Sequence, residues 1–177
     1  MNLVLIGYRG TGKSSLSRLL GRQWGWPVYH CDQMLEQRLG ESIAQFVERQ
    51  GWPAFRDAEA TLIQELAHHD RAIIDTGGGV VERKENGQTL RGNGFVVWLQ
   101  SSPESIAYWI GGDAKRPSLT GTQSAVDEIH EVLARRTPLY AEASHYTVCT
   151  DVQSLQESVQ EIEQAFARFK NKQPPSL

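Results

Sequence analysis

Residues 3–14 read Leu-Val-Leu-Ile-Gly-Tyr-Arg-Gly-Thr-Gly-Lys-Ser, an apolar run that ends at Gly7 with Gly12-Lys13-Ser14 five residues later. This is the spacing of a phosphate-binding loop, G-x-x-x-x-G-K-[ST], set between a strand and a helix. Glycines let successive N–H groups turn inward around a polyphosphate. The helix that follows aims its free N–H groups and positive dipole end at the same charge. Lys13 supplies a mobile cation for the β and γ oxygens, and the Ser14 hydroxyl suits Mg²⁺. Gly7, Gly10, Thr11, Gly12, Lys13, Ser14 and Ser15 are therefore the expected binding set for a nucleoside triphosphate.

Outward from this loop, strands alternate with helices. Residues 13–24 are predicted as a helix and 27–30 as a second strand ending at Cys31-Asp32. Residues 33–68 read as helical, broken at Gly40 and at Gly51-Trp52-Pro53, with a capping box at Ser42 and Gln45. A third strand, 72–75, stops at Thr76 and the triplet Gly77-Gly78-Gly79, and a polar, charged segment follows. Further on are a strand over 94–99, a helix from Pro103 to Ile110, a helix ending at Arg136 and a strand over 146–149. The last helix carries Leu155, Val159, Ile162, Phe166 and Phe169 on one stripe. Residues 111–123 lack periodicity and make a loop long enough to be functional. The pattern implies an α/β, three-layer fold with a parallel sheet covered on both faces and ligands beyond its carboxyl ends. Residues 1–170 are expected to be one domain and 171–177 a tail.

The net charge of −3 gives no basic footprint for nucleic acid. No apolar run approaches the roughly 20 residues of a membrane span, and the start lacks the features of a signal peptide. Two cysteines form no disulfide framework. The expectation is a cytoplasmic monomer acting on small molecules.

Three loaded sites fall at the same sheet edge: the phosphate loop, Asp32 after the second strand, and Asp75 with the glycine triplet after the third. Asp32 can hold an acceptor hydroxyl in line with a γ-phosphate and take its proton. Arg56 and Arg136 are candidates for a planar carboxylate, which arginine binds through two parallel bonds. No obvious carboxylate partner for Arg56 stands out in the sequence. The triplet Gly77, Gly78 and Gly79 lets a small ligand lie against the backbone.

In this order, with Arg116-Pro117 in the polar loop and Arg136-Thr137-Pro138-Leu139-Tyr140 after it, the chain resembles the shikimate kinase family over about residues 1–150. The resemblance implies five parallel strands in the order 2-3-1-4-5. It also implies phosphoryl transfer from MgATP to the 3-hydroxyl of shikimate. It makes Asp32 the hydroxyl-binding group, Arg56 and Arg136 the carboxylate clasp, and Gly77–Gly79 the shelf beneath the ring. Residues 33–68 become the acceptor-binding helices, 111–123 the lid, and Arg116 the lid arginine at the phosphates, catalytic with Lys13 and Asp32.

Three positions depart from the family. His30 stands where an aspartate usually helps hold Mg²⁺, and histidine suits that ion poorly. Asp75 is expected to take over that role beside Ser14; capping a turn, or pairing with Lys13, is the other reading. Trp52 replaces an acidic residue that supports the arginine. Trp109 sits where some members place an arginine over adenine, and either stacks there or faces the core. Cys31 reads as a buried small hydrophobe, and His68-His69 as a solvated helix end. Two rivals stand: a related kinase such as a gluconate kinase, and a binding protein with a weakened magnesium site.

Overall fold

The computed structural model describes residues 1–111 and 125–172. Its sheet has five strands, all parallel: β1 (Asn2–Ile6), β2 (Val28–His30), β3 (Ile73–Asp75), β4 (Gly94–Gln100) and β5 (Tyr146–Cys149). Their order is β2-β3-β1-β4-β5, as the family resemblance implies.

Strand side chains alternate between faces, and the two faces make two cores. Val4, Ile6, Ile74, Val96 and Trp98 pack against helices α2 (Cys31–Leu39), α3 (Ile43–Ala67) and α4 (Lys84–Asn93). Leu3, Leu5, Ile73, Phe95, Val97 and Leu99 pack on the other face. There they meet Leu16 and Leu20 of α1 (Lys13–Trp24), and Val159, Ile162 and Phe166 of α7 (Leu155–Lys172). Each such residue is worth about 1.5–3 kcal/mol of transfer from water. A third cluster joins Tyr8 to Ile106 of α5 (Pro103–Ile110) and to Ile129 and Val132 of α6 (Ala125–Ala143). No helix among the described residues is long and apolar enough to cross a membrane.

Register explains where the chemistry gathers. Leu5 pairs with Asp75, and Asp75 with His30, so the phosphate loop, the β2 end and the β3 end leave the sheet in one row.

Four details differ from the sequence reading. The polar stretch after the glycine triplet folds into a 3₁₀ turn (Val80–Glu82) and α4. Helix α4 shows no apolar stripe because it packs through small and polar groups. Asn86 Nδ2 donates to the Val80 carbonyl, and Gly87 lies against Ala143. Helix α2 begins at Cys31, which puts Asp32 in its first turn rather than at the end of the strand before a helix starting at residue 33. Helix α6 runs past Arg136, through Pro138, to Ala143. An interior proline costs a helix about 3 kcal/mol, and the burial of Tyr140 and Ala143 in the first core outweighs it. Finally, α7 reaches Lys172 and so takes in the first two residues of the expected tail; residues 173–177 lie outside the described residues. Elsewhere the breaks fall where expected: α3 kinks at Gly51, whose φ is 82°, and Ser42 with Gln45 forms the capping box. His68 caps that helix and is exposed, while His69 stacks on Tyr29.

Candidate active site

The phosphate loop is held open by its glycines: φ is 140° at Gly7, 81° at Gly10 and 88° at Gly12. These are left-handed angles that L-residues adopt at a cost. Gly12 accepts the first helical bonds, from Ser15 and Leu16 N–H, which sets the loop at the positive end of α1, where an anion is favoured. Thr11 Oγ1 donates to the Tyr8 carbonyl at 2.8 Å. Lys13 Nζ donates to the carbonyls of Gly7 and Tyr8, both at 2.8 Å, and is only 7% exposed.

Asp75 is bound to two neighbours. Its Oδ2 accepts from Ser14 Oγ at 2.7 Å and lies 2.7 Å from His30 Nδ1. The loop hydroxyl, the β3 carboxylate and the β2 histidine thus form one cluster on a single oxygen. A cleft of about 830 Å³ opens above it, lined by the loop, His30, Asp32, Asp75 and, across the way, Trp109 and Asp151. Trp109 is 70% exposed, so it borders this cleft and does not face the core. Cys31 is buried, and its thiol is held well above its usual pKa by burial and by Asp32, Asp75 and Glu59.

A second cavity, of about 70 Å³, adjoins the first and shares Arg9, Asp32 and Gly78 with it. Arg56, Glu59, Gly77, Gly79 and Arg136 line it, so both candidate arginines face the same space as Asp32. The geometry corrects the sequence on Arg56, which has carboxylate partners. Its Nη1 donates to Glu59 Oε2 at 2.6 Å, one turn along α3. Its Nε lies 3.3 Å from Glu82 Oε2, at ion-pair distance but without hydrogen-bond alignment. Trp52 takes the place of the missing acid in another way: its ring and that of Phe55 each lie 5.2 Å from the Arg56 guanidinium carbon.

Arg136 is equally confined. Its Nε and Nη2 reach Glu82 Oε1 at 2.9 and 2.8 Å, and its Nη1 reaches the Gly78 carbonyl at 3.3 Å. Tyr140 Oη donates to that same carbonyl. Glu59 and Glu82, neither of them singled out in the sequence, complete the set. Burial pushes the Glu59 carboxyl up, against the pull of Arg56. Burial works the same way on Glu82, but Arg136, Arg56 and Arg135 prevail, and its pKa falls below the usual range.

The glycine triplet is required for contact. A Cβ on Gly77 would lie 2.6 Å from Asp32 Oδ1 and 3.0 Å from Glu59 Oε1, while one on Gly79 would lie 2.0 Å from Arg56 Nη2. Arg116 and nearly all of the expected lid lie outside the described residues.

A family model described as shikimate kinase matches residues 9–167. The chain belongs to the shikimate kinase family. A shikimate kinase of Symbiobacterium thermophilum is 38% identical over 164 residues, spanning 92% of this chain and 94% of that one. Among solved structures, a shikimate kinase from Acinetobacter baumannii, in complex with shikimate, superposes with a TM-score of 0.89. It is 29% identical and covers 98% of this chain and 95% of its own. A gluconokinase from Sinorhizobium meliloti, 18% identical with a TM-score of 0.56 over 96% of this chain and 93% of its own, shares the fold alone. The shikimate kinase relationship therefore outweighs the gluconate rival.

Proposed function

We propose that this shikimate kinase family member transfers the γ-phosphoryl group of ATP to the 3-hydroxyl of shikimate, with the residues above in defined roles. One observation carries the reading: two buried guanidiniums, a carboxylate at a helix start and a glycine shelf line one cavity that shares Asp32 and Gly78 with the phosphate-loop cleft. An acceptor held by its carboxylate on Arg56 and Arg136 has its hydroxyl face turned to Asp32. In that position Asp32 Oδ1 and Glu59 Oε1, which converge above Gly77, can accept hydroxyl hydrogens. Asp32 orients the attacking oxygen and takes its proton late; in phosphoryl transfer the protein contributes chiefly positioning and charge. Lys13 and the N–H groups around the loop hold the donor phosphates.

The donor set near Ser14 also fits Mg²⁺. A hydroxyl and a carboxylate, 2.7 Å apart, offer hard oxygens. This ion is held in kinases by one or two protein oxygens plus the nucleotide phosphates rather than by a protein cage. No cluster of three His, Cys, Asp or Glu capable of such a cage occurs among the described residues. Ser14 and Asp75 would hold the ion, and His30 supports Asp75 rather than standing as a ligand. When bound, Mg²⁺ would supply positive charge that offsets the charge of the donor phosphates. Arg116, outside the described residues, is proposed on the sequence alone as the arginine that closes on those phosphates. Trp109, exposed on the cleft wall, offers a face for the adenine ring.

The deciding experiment is a coupled ADP-release assay with shikimate, gluconate and nucleoside monophosphates, with and without Mg²⁺. Metal-dependent turnover with shikimate alone is the expected result. Turnover with gluconate in its place overturns the acceptor assignment, and tight ATP binding without any turnover favours the binding-protein rival.

A further inference from the structure

We propose that Glu82 is a positioning residue of the acceptor grip: it spaces the Arg56 and Arg136 guanidiniums and reduces their charge, so that the cavity selects a single carboxylate. The inference rests on the carboxylate-clasp reading above. Glu82 ends the 3₁₀ turn that follows the glycine triplet, and its N–H is tied back to the Gly79 carbonyl at 3.0 Å. Val80 and Val81, both buried, anchor that turn. The carboxylate therefore stands on a fixed base between two helices. One oxygen takes Arg136 Nε and Nη2, and Arg135 Nη2 at 2.8 Å; the other faces Arg56 Nε at 3.3 Å.

The occupied edges matter. On Arg136, Glu82 covers the Nε–Nη2 edge and leaves Nη1, which lies beside the Gly78 carbonyl of the shelf. On Arg56 it faces Nε, while Nη1 holds Glu59 and Nη2 lies directly over Gly79. Glu82 thus grips both guanidiniums from behind and leaves their shelf-side ends to the ligand. Arg9 and Asp32, which also line the cavity, offset each other, and the guanidiniums of Arg56, Arg135 and Arg136 against the carboxylates of Glu59 and Glu82 leave one positive charge, which matches one acid group. A solvated pair would contribute little, but the Arg136 side chain is 4% exposed and that of Arg56 10%, so solvent screens these contacts weakly.

The test compares Glu82→Ala and Glu82→Gln with the unaltered protein. KM is measured for shikimate, for ATP and for the carboxamide analogue of shikimate, and calorimetry gives the Kd of the acid apart from turnover. Glu82→Ala should raise the KM and Kd of the acid about ten-fold, equivalent to about 1.4 kcal/mol. It should affect kcat and the KM of ATP less, and leave the carboxamide as in the unaltered protein. Glu82→Gln, which keeps the shape and drops the charge, should fall between. Acid binding that is unchanged or tighter, or an equal loss with the carboxamide, overturns the proposal. Should Glu82→Ala not fold, the same criteria apply to Glu82→Gln. Failure of the unaltered protein to phosphorylate shikimate would sink the functional reading instead, and the ratio of acid Kd values still decides the role of Glu82.

Discussion

Replacing Gly79 by alanine adds one methyl group, at a residue whose φ is −99°, where alanine carries no backbone strain. The effect is therefore steric and local. The new carbon would lie 2.0 Å from Arg56 Nη2, 2.6 Å from its guanidinium carbon and 2.8 Å from Nη1. Van der Waals contact needs about 3.5 Å, so the guanidinium must retreat by well over an ångström. It is enclosed by Trp52, Phe55, Glu59 and Glu82, and retreat breaks the alignment of Nη1 with Glu59 and of Nη2 with the shelf. A charged hydrogen bond lost from the acceptor is worth about 1.5–3 kcal/mol, or roughly 10- to 150-fold in affinity. Gly79 lies outside the nucleotide cleft, so binding of ATP should be untouched. Steady-state ADP release, with each substrate varied at saturation of the other, should show the KM for shikimate raised at least ten-fold and that for ATP within a factor of two. A thermal melt run in parallel tracks the strain on the buried Arg56–Glu59 pair. An unchanged KM for shikimate refutes the placement of Arg56 over the shelf, and with it the clasp.

Lys13→Ala should reduce turnover on the order of 10³-fold or more, since charge at the transferred phosphoryl group carries most of the catalysis; near-normal kcat in the same assay contradicts the loop assignment. Asp75→Asn should shift the Mg²⁺ concentration for half-maximal rate upward several-fold, read from a metal titration, and an unmoved curve removes Asp75 from the metal's surroundings. His145 accepts the Val96 N–H at Nδ1, while its backbone N–H donates to the Val96 carbonyl, and burial, with Arg91, pushes its pKa down to about 4. Because its folded-state pKa is depressed below the ordinary value near 6.5, its contribution is complete above pH 6.5 and is lost as pH falls towards 4. After discounting for solvent screening the loss is on the order of 1 kcal/mol. Urea midpoints of the unaltered protein and His145→Asn should therefore converge between pH 7 and 4.5, and a constant gap excludes the effect.

The sheet was legible because its strands are short apolar runs bounded by glycine or aspartate, and the loop because its spacing is fixed by phosphate geometry. Asp32, Arg56 and Arg136 stood out as residue types, but what holds them did not. Glu59 lies one helical turn from Arg56, a spacing readable from Phe55-Arg56 onward. Glu82 meets its arginines only through tertiary packing, across more than fifty positions of chain from Arg136. Helix α4 was hidden for a related reason: its buried face is Asn86, Gly87 and Leu90, and small groups carry no periodic signal. The end of α6 was misjudged because Pro138 speaks for local preference, whereas Tyr140 answers to the Gly78 carbonyl on the far side of the core.

The cation–π contact of Trp52 with Arg56 places an indole in the wall of the acceptor cavity, while Trp109 stands in the wall of the nucleotide cleft. The remaining tryptophans are elsewhere: Trp24 and Trp26 pack on Phe166, and Trp98 stacks on Tyr140. On the proposed roles of the two cavities, each substrate has a resident fluorophore of its own. Stopped-flow emission from proteins retaining only one of the two can give the order in which donor and acceptor arrive, with no extrinsic dye attached.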